Sequence, residues 1–128
     1  MRTLGQKRAE FALQRVTGIP AEAKERFKPF SAGAPTMILQ NGFGQALAFW
    51  VAKAKGKEKG EHMEMFNIVK EWLSYDNGDV HNRYVIKTDS PADFFSAVSK
   101  MTQSQYLTAQ KETLALIEWV KRFANADL

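Results

Sequence analysis

The chain has no cysteine among its 128 residues, which removes disulfides, thiolate zinc sites and cysteine nucleophiles together and suits a cytoplasmic protein. Histidine is nearly absent: only His62 and His81 occur, and neither accompanies the G-x-S-x-G elbow that a serine hydrolase would need beside its base. Long apolar runs are missing as well. No segment approaches the roughly 18 consecutive apolar residues of a membrane span, and the charged start MRTLGQKRAEFALQ lacks the apolar core of a secretory signal. The expectation is a soluble, cytoplasmic chain with no membrane partner.

Further chemistry is excluded by pattern. NGFG at 41–44 lacks the G-x-x-x-x-G-K-[ST] spacing of a phosphate loop, and no parallel sheet precedes it. Glu61, His62 and Glu64 are near one another in sequence, but His62 continues an apolar stripe through Met65 and Phe66 and reads as a part-buried histidine rather than a metal ligand. Glu64 and Glu71 read as solvated carboxylates. No motif calls for a cofactor, a metal or a small-molecule substrate, so the chain reads as a non-enzyme.

What the sequence does contain is helical periodicity. A length of 128 residues fits one domain, 1–128, able to bury roughly two-thirds of its unfolded surface. Thr3 caps a first helix over 3–17 that Gly18 ends, and Pro20 opens a short second one that Pro29 stops. Residues 30–36 read as a connection. Pro35 then opens the central helix, PTMILQNGFGQALAFWVAK over 35–53, whose apolar stripe is Leu39, Phe43, Ala46, Leu47, Trp50 and Ala54, with Ile38, Phe49 and Val51 outside it. Residues 56–60 read as an exposed loop.

A helix from near Lys59 to 75 carries Met65, Phe66, Val69, Trp72 and Leu73 on one stripe, and Asn77-Gly78 ends it in a turn. Residues 80–88 read as loop or irregular helix, for want of a partner strand. Ser90, Pro91 and Asp93 start a short helix. Thr102 with Gln105 starts a second long one striped by Tyr106, Ala109, Thr113, Ile117, Val120 and Ala124. The fold class is therefore all-α: a single compact bundle of about five to six helices with two long core helices.

Eighteen Lys and Arg against fourteen Asp and Glu give a net charge of +4 and a mild bias toward polyanionic partners. Lys53, Lys55, Lys57 and Lys59 form the densest positive run. Arg8 and Arg15 stand seven residues apart on one face of the first helix, and Lys121 and Arg122 lie in the last turns of the final helix, where cations complement the helix dipole. The residues alone leave a binding or assembly module, with a nucleic-acid backbone, a protein partner or both as candidates.

Two motifs go further. Within 35–55, Pro35, Ile38, Asn41, Gly42, Leu47, Ala48 and Phe49, and within 110–126, Thr113, Leu114, Ala115, Trp119, Val120, Lys121, Arg122, Phe123 and Ala124, resemble the small helical subunit of the type III-B CRISPR effector complex, the Cmr complex. Phe43 departs from that pattern, where leucine is usual. The resemblance implies a non-catalytic subunit that stacks with copies of itself beside other Cmr subunits and lines the groove where target RNA pairs with guide RNA.

On that reading Arg8, Arg15, Lys53, Lys55 and Lys57 face the nucleic acid, with Lys121 and Arg122 as lesser candidates. They would contact phosphates and leave sequence to guide pairing. The alternative is a helical protein-protein adaptor, in which these cations only solvate the surface and apolar residues such as Ile38 or Phe49 bind a partner.

Overall fold

The computed structural model describes residues 1–57 and 59–128. Among them are six helices, α1 (Leu4–Thr17), α2 (Ala21–Asn41), α3 (Phe43–Ala54), α4 (Glu61–Leu73), α5 (Pro91–Ser99) and α6 (Gln103–Ala124), and one minimal hairpin, β1 (Asp76–Asn77) with β2 (Val80–His81). The all-α class follows from the sequence as read. Three helix starts do too. Thr3 and Thr102 each close a capping box, with Gln6 and Gln105 respectively, and the Ser90 hydroxyl accepts from the Asp93 N–H.

The largest departure concerns the prolines. α2 runs unbroken for 21 residues through both Pro29 and Pro35, so neither the stop at Pro29 nor the connection at 30–36 exists. An interior proline forfeits one backbone hydrogen bond and crowds the preceding turn, at about 3 kcal/mol. Packing offsets this here: Phe27, Ser31, Ala34, Pro35 and Ile38 are all buried along α2, so Pro35 serves as a core side chain. The Lys28 carbonyl, one residue before Pro29, accepts from the Ser31 hydroxyl at 2.8 Å.

The central helix expected over 35–53 is in fact two helices that meet at Gly42. With φ +86° and ψ 158°, Gly42 occupies a region essentially closed to other residues. It caps α2 by donating its N–H to Ile38 at 2.7 Å and opens α3 by accepting from Ala46 at 3.0 Å. The break resets the helical phase. After it the expected stripe holds, with Phe43, Ala46, Leu47, Trp50 and Ala54 buried. Before it the assignment reverses: Ile38 is fully buried and Leu39 is 68% exposed.

α6 organises the rest. α1 lies alongside it in the same direction, since Arg8 pairs with Glu112 while Val16, two turns on, lines a pocket with Phe123 and Ala124. α2 runs the opposite way: Asn125 reaches the Lys28 carbonyl, and the α2 to α3 junction meets Tyr106 and Gln110. α3, α4 and α5 close the core around Trp50, Phe66, Trp72 and Phe94, all fully buried.

Residues 80–81, expected as loop or irregular helix, pair with 76–77 in register Asp76↔His81 and Asn77↔Val80. So short a hairpin does not hold itself together. It is pinned from outside, by Arg2 donating to Asp79 at 2.6 and 3.1 Å and by Asn82 donating to the Trp72 carbonyl at 2.7 Å. Residues 83–88 then fold back over the end of α4, where Tyr84 and Val85 both donate to the Leu73 carbonyl.

Candidate nucleic-acid interface

The seven cations singled out in the sequence fall into two groups. Arg8 is committed internally. Its Nε and one Nη donate to both oxygens of Glu112 at 2.7 and 2.8 Å, and Glu112 also accepts from Trp72 Nε1 at 2.9 Å. Glu112 is 5% exposed. Burial pushes its carboxyl up, but the bonds from Arg8 and Trp72 outweigh that and hold it below the usual range. This is a buried tie between α1, α4 and α6.

Arg15 donates to Glu71 at 2.8 Å and lies over the Phe11 ring at 4.5 Å. Lys121 pairs with Glu118 at 3.1 Å along α6. Arg8 and Arg15 therefore do not form the free basic face that their seven-residue spacing suggests. Each is drawn to an acid on another helix.

The second group is Lys53, Lys55, Lys57 and Arg122, all exposed and without an acidic partner among the described residues. Lys53 lies in the last turn of α3 with its ammonium over the Phe49 ring at 5.6 Å. Lys55 is the cap of α3 in a left-handed conformation, φ +49°, which turns the chain into the loop. The loop expected over 56–60 is exposed at Gly56, Lys57 and Lys59, with Gly60 half-buried as it opens α4. Glu58 lies outside the described residues.

The fold also gathers cations that the sequence reading leaves out. Lys57 and Lys59 share an open groove of about 700 Å³ with Arg26 of α2, and the acids Glu22 and Glu61 line it too. The α4 N-terminus opens there at Gly60 with no side-chain cap. Lys59 belongs to the lysine run and was within reach of the sequence. Arg26 was not, because its place beside the loop depends on α2 continuing past Pro29.

The remaining readings divide. His62 is half-buried against the Phe30 ring at 4.6 Å, as its stripe position implies. Glu64 is not simply solvated: burial, with the nearby charge of Glu71, raises its carboxyl above the ordinary range. Ile38 is buried and so offers a partner nothing, whereas Phe49 is 47% exposed. Among the described residues no group of three or more His, Asp or Glu is placed to hold a metal ion, and no helix is long and apolar enough to cross a membrane.

The chain is close in length to a known relative. It is 30% identical, over 127 residues covering 98% of it and 96% of the other, to the CRISPR system Cmr subunit Cmr5 of Thermus thermophilus. The family model described as CRISPR-associated protein (Cas_Cmr5) matches residues 4–127, and the chain belongs to that family.

Proposed function

We propose that this chain is the non-catalytic small subunit of a type III-B CRISPR-Cas effector complex. On this reading it works in the cytoplasm, stacks with copies of itself beside the other Cmr subunits, and supports the pairing of target RNA with guide RNA. Family membership over nearly the whole chain supports the assignment.

The observation that carries the RNA contact is the cluster of exposed lysines at the α3 to α4 turn. Lys53, Lys55 and Lys57 follow one another at alternate positions, all exposed, and Lys57 shares its groove with Lys59 and Arg26. Exposed ammonium groups of this kind contact phosphates at any sequence and read no bases, which is what a subunit that leaves specificity to guide pairing requires. Arg122 is an outlying member of the set. Arg8, Arg15 and Lys121 contribute less, since each would first have to leave an acid.

The test is reconstitution. A guide-loaded complex assembled without this chain is titrated with it and followed by co-sedimentation and target RNA binding. The expected result is incorporation of several copies with salt-sensitive tightening of target binding. Failure to join the complex removes the proposal. Joining without any change in RNA affinity leaves the adaptor reading in its place, with exposed apolar residues such as Phe49 as the contact.

A further inference from the structure

Among the described residues two aromatic side chains are exposed, Phe49 at 47% and Trp119 at 37%. Trp119 leans on the Phe123 ring at 5.5 Å and follows an acid, Glu118, in α6. Phe49 is placed differently. It lies outside the hydrophobic core, on a face of α3 that it shares with Gln45, Ala48, Ala52 and Lys53, all exposed and all at three- and four-residue spacing. With only the methyl groups of Ala48 and Ala52 beside it, the ring stands above the helix surface.

Charge around this face has one sign. From residue 26 to residue 57 the sequence contains no Asp or Glu, so α3 and all of α2 beyond Glu25 carry no carboxylate side chain, while Lys53, Lys55 and Lys57 follow Phe49 in turn. The Lys53 ammonium lies 5.6 Å from the Phe49 ring centroid, one helical turn on, or about 6 Å along the axis. One nucleotide spans that separation, with its base on the ring and its phosphate at the ammonium. A single ring between two methyl groups gives a protein partner little apolar area to bury. RNA meets both features at once, because every base has a face that stacks on an aromatic ring and every phosphate attracts lysine.

We infer that Phe49 is a stacking platform for an unpaired base of single-stranded RNA whose phosphates lie along Lys53, Lys55 and Lys57. A base in this position takes the place of the Lys53 ammonium over the ring, and the ammonium moves to the phosphate of the same nucleotide. Bases inside a duplex stack on one another and present no face to the ring, so the site favours a strand that has not yet paired. The stack presupposes the RNA contact proposed for the lysine turn.

The full chain is titrated, by fluorescence anisotropy at several salt concentrations, with end-labelled probes of equal length: an unstructured oligoribonucleotide, an abasic sugar-phosphate strand of the same charge, and an RNA duplex. Phe49→Leu keeps an apolar side chain at an exposed position. It should weaken the oligoribonucleotide by roughly 5–100-fold, with the slope of log affinity against log salt unchanged, and leave the abasic strand and the duplex bound as by the wild type. Phe49→Trp should retain or tighten binding of the oligoribonucleotide. Combined alanine replacement of Lys53, Lys55 and Lys57 should weaken all the probes. Equal loss on the oligoribonucleotide and the abasic strand with Phe49→Leu, or no loss on either, overturns the stack and leaves the lysine contact standing. A lysine variant that binds every probe as the wild type does, or a wild type that binds none, overturns the RNA contact and the stack with it. A Phe49→Leu chain that binds RNA normally but no longer joins the reconstituted complex overturns the stack and assigns the ring to a protein neighbour.

Discussion

The Tyr106 hydroxyl of α6 accepts the Gly44 backbone N–H of α3 at 2.7 Å, and a Cβ placed on Gly44 would stand 3.2 Å from the same oxygen. One residue down, Gln110 Oε1 accepts the Phe43 N–H at 2.9 Å. α3 lacks a side-chain cap of its own, so α6 caps it from outside. Tyr106→Phe should therefore lose about 1 kcal/mol of stability in urea unfolding. Gly44→Ala should destabilise the wild type but be neutral or favourable with Tyr106→Phe already present, since the displaced hydroxyl is gone and helix propensity favours Ala by up to about 1 kcal/mol. Strict additivity in that double-mutant cycle contradicts the capping role.

Gly42 is fixed by backbone rather than by space. Its φ of +86° makes any side chain strained, so Gly42→Ala should destabilise by about 1–3 kcal/mol. Gly33, inside α2, has an ordinary helical conformation, and a Cβ added there would meet nothing within 4 Å. Gly33→Ala should stabilise by roughly 0.5–1 kcal/mol. Thermal unfolding of both variants should give shifts of opposite sign.

The Arg8 and Glu112 pair separates stability from charge. Removing Arg8 leaves a buried carboxylate, so Arg8→Ala should destabilise by about 2–4 kcal/mol, below the fully buried range because Arg8 retains some exposure. Replacing both with apolar residues, Arg8→Met with Glu112→Leu, should recover most of that loss. Because Glu112 is held below its ordinary pKa, its contribution is present at neutral pH and is lost as pH falls from the ordinary carboxylate range through the folded value. The double variant should accordingly lose less stability on acidification than the wild type.

Glu64 has the opposite sign. Its folded pKa is raised by burial and by Glu71, so the ionised form opposes folding above that value, and the effect vanishes once pH falls below the unfolded value. Glu64→Gln should stabilise at pH 7 by no more than roughly 0.5 kcal/mol, because the group is partly solvated. The gain should disappear near pH 4. A gain of equal size at both pH values points to packing rather than charge.

What the sequence makes legible here is mostly local. The caps at Thr3, Ser90 and Thr102 depend on residues three apart, and the stripe of α6 repeats within one helix. The boundary between α2 and α3 is different. Proline propensity argues for a stop at Pro29 and a new helix start at Pro35, and only the packing of Phe27, Ala34 and Ile38 overrides it. The site divides along the same line. Exposure of Lys55 and Lys57 follows from a loop composition, whereas the capture of Arg8 by an acid 104 residues away leaves no trace in the spacing of Arg8 and Arg15. Arg26 enters the groove for the same tertiary reason.

The lysine loop yields the prediction closest to function. If Lys53, Lys55 and Lys57 each neutralise a phosphate, combined replacement by alanine should weaken target RNA binding by the reconstituted complex. It should also reduce the slope of log affinity against log salt by about 2, at roughly 0.7 per contact on a single strand. Alanine at Arg8 is the wrong control, since it unfolds the buried tie with Glu112. Arg83 is a better one, being an exposed cation outside the candidate set, and its replacement should leave the slope unchanged. Extending the triple variant with Arg26→Ala and Lys59→Ala tests the groove itself. A further fall in slope shows that α2 and the loop hold the backbone jointly, and an unchanged slope confines the contact to the three lysines at the turn.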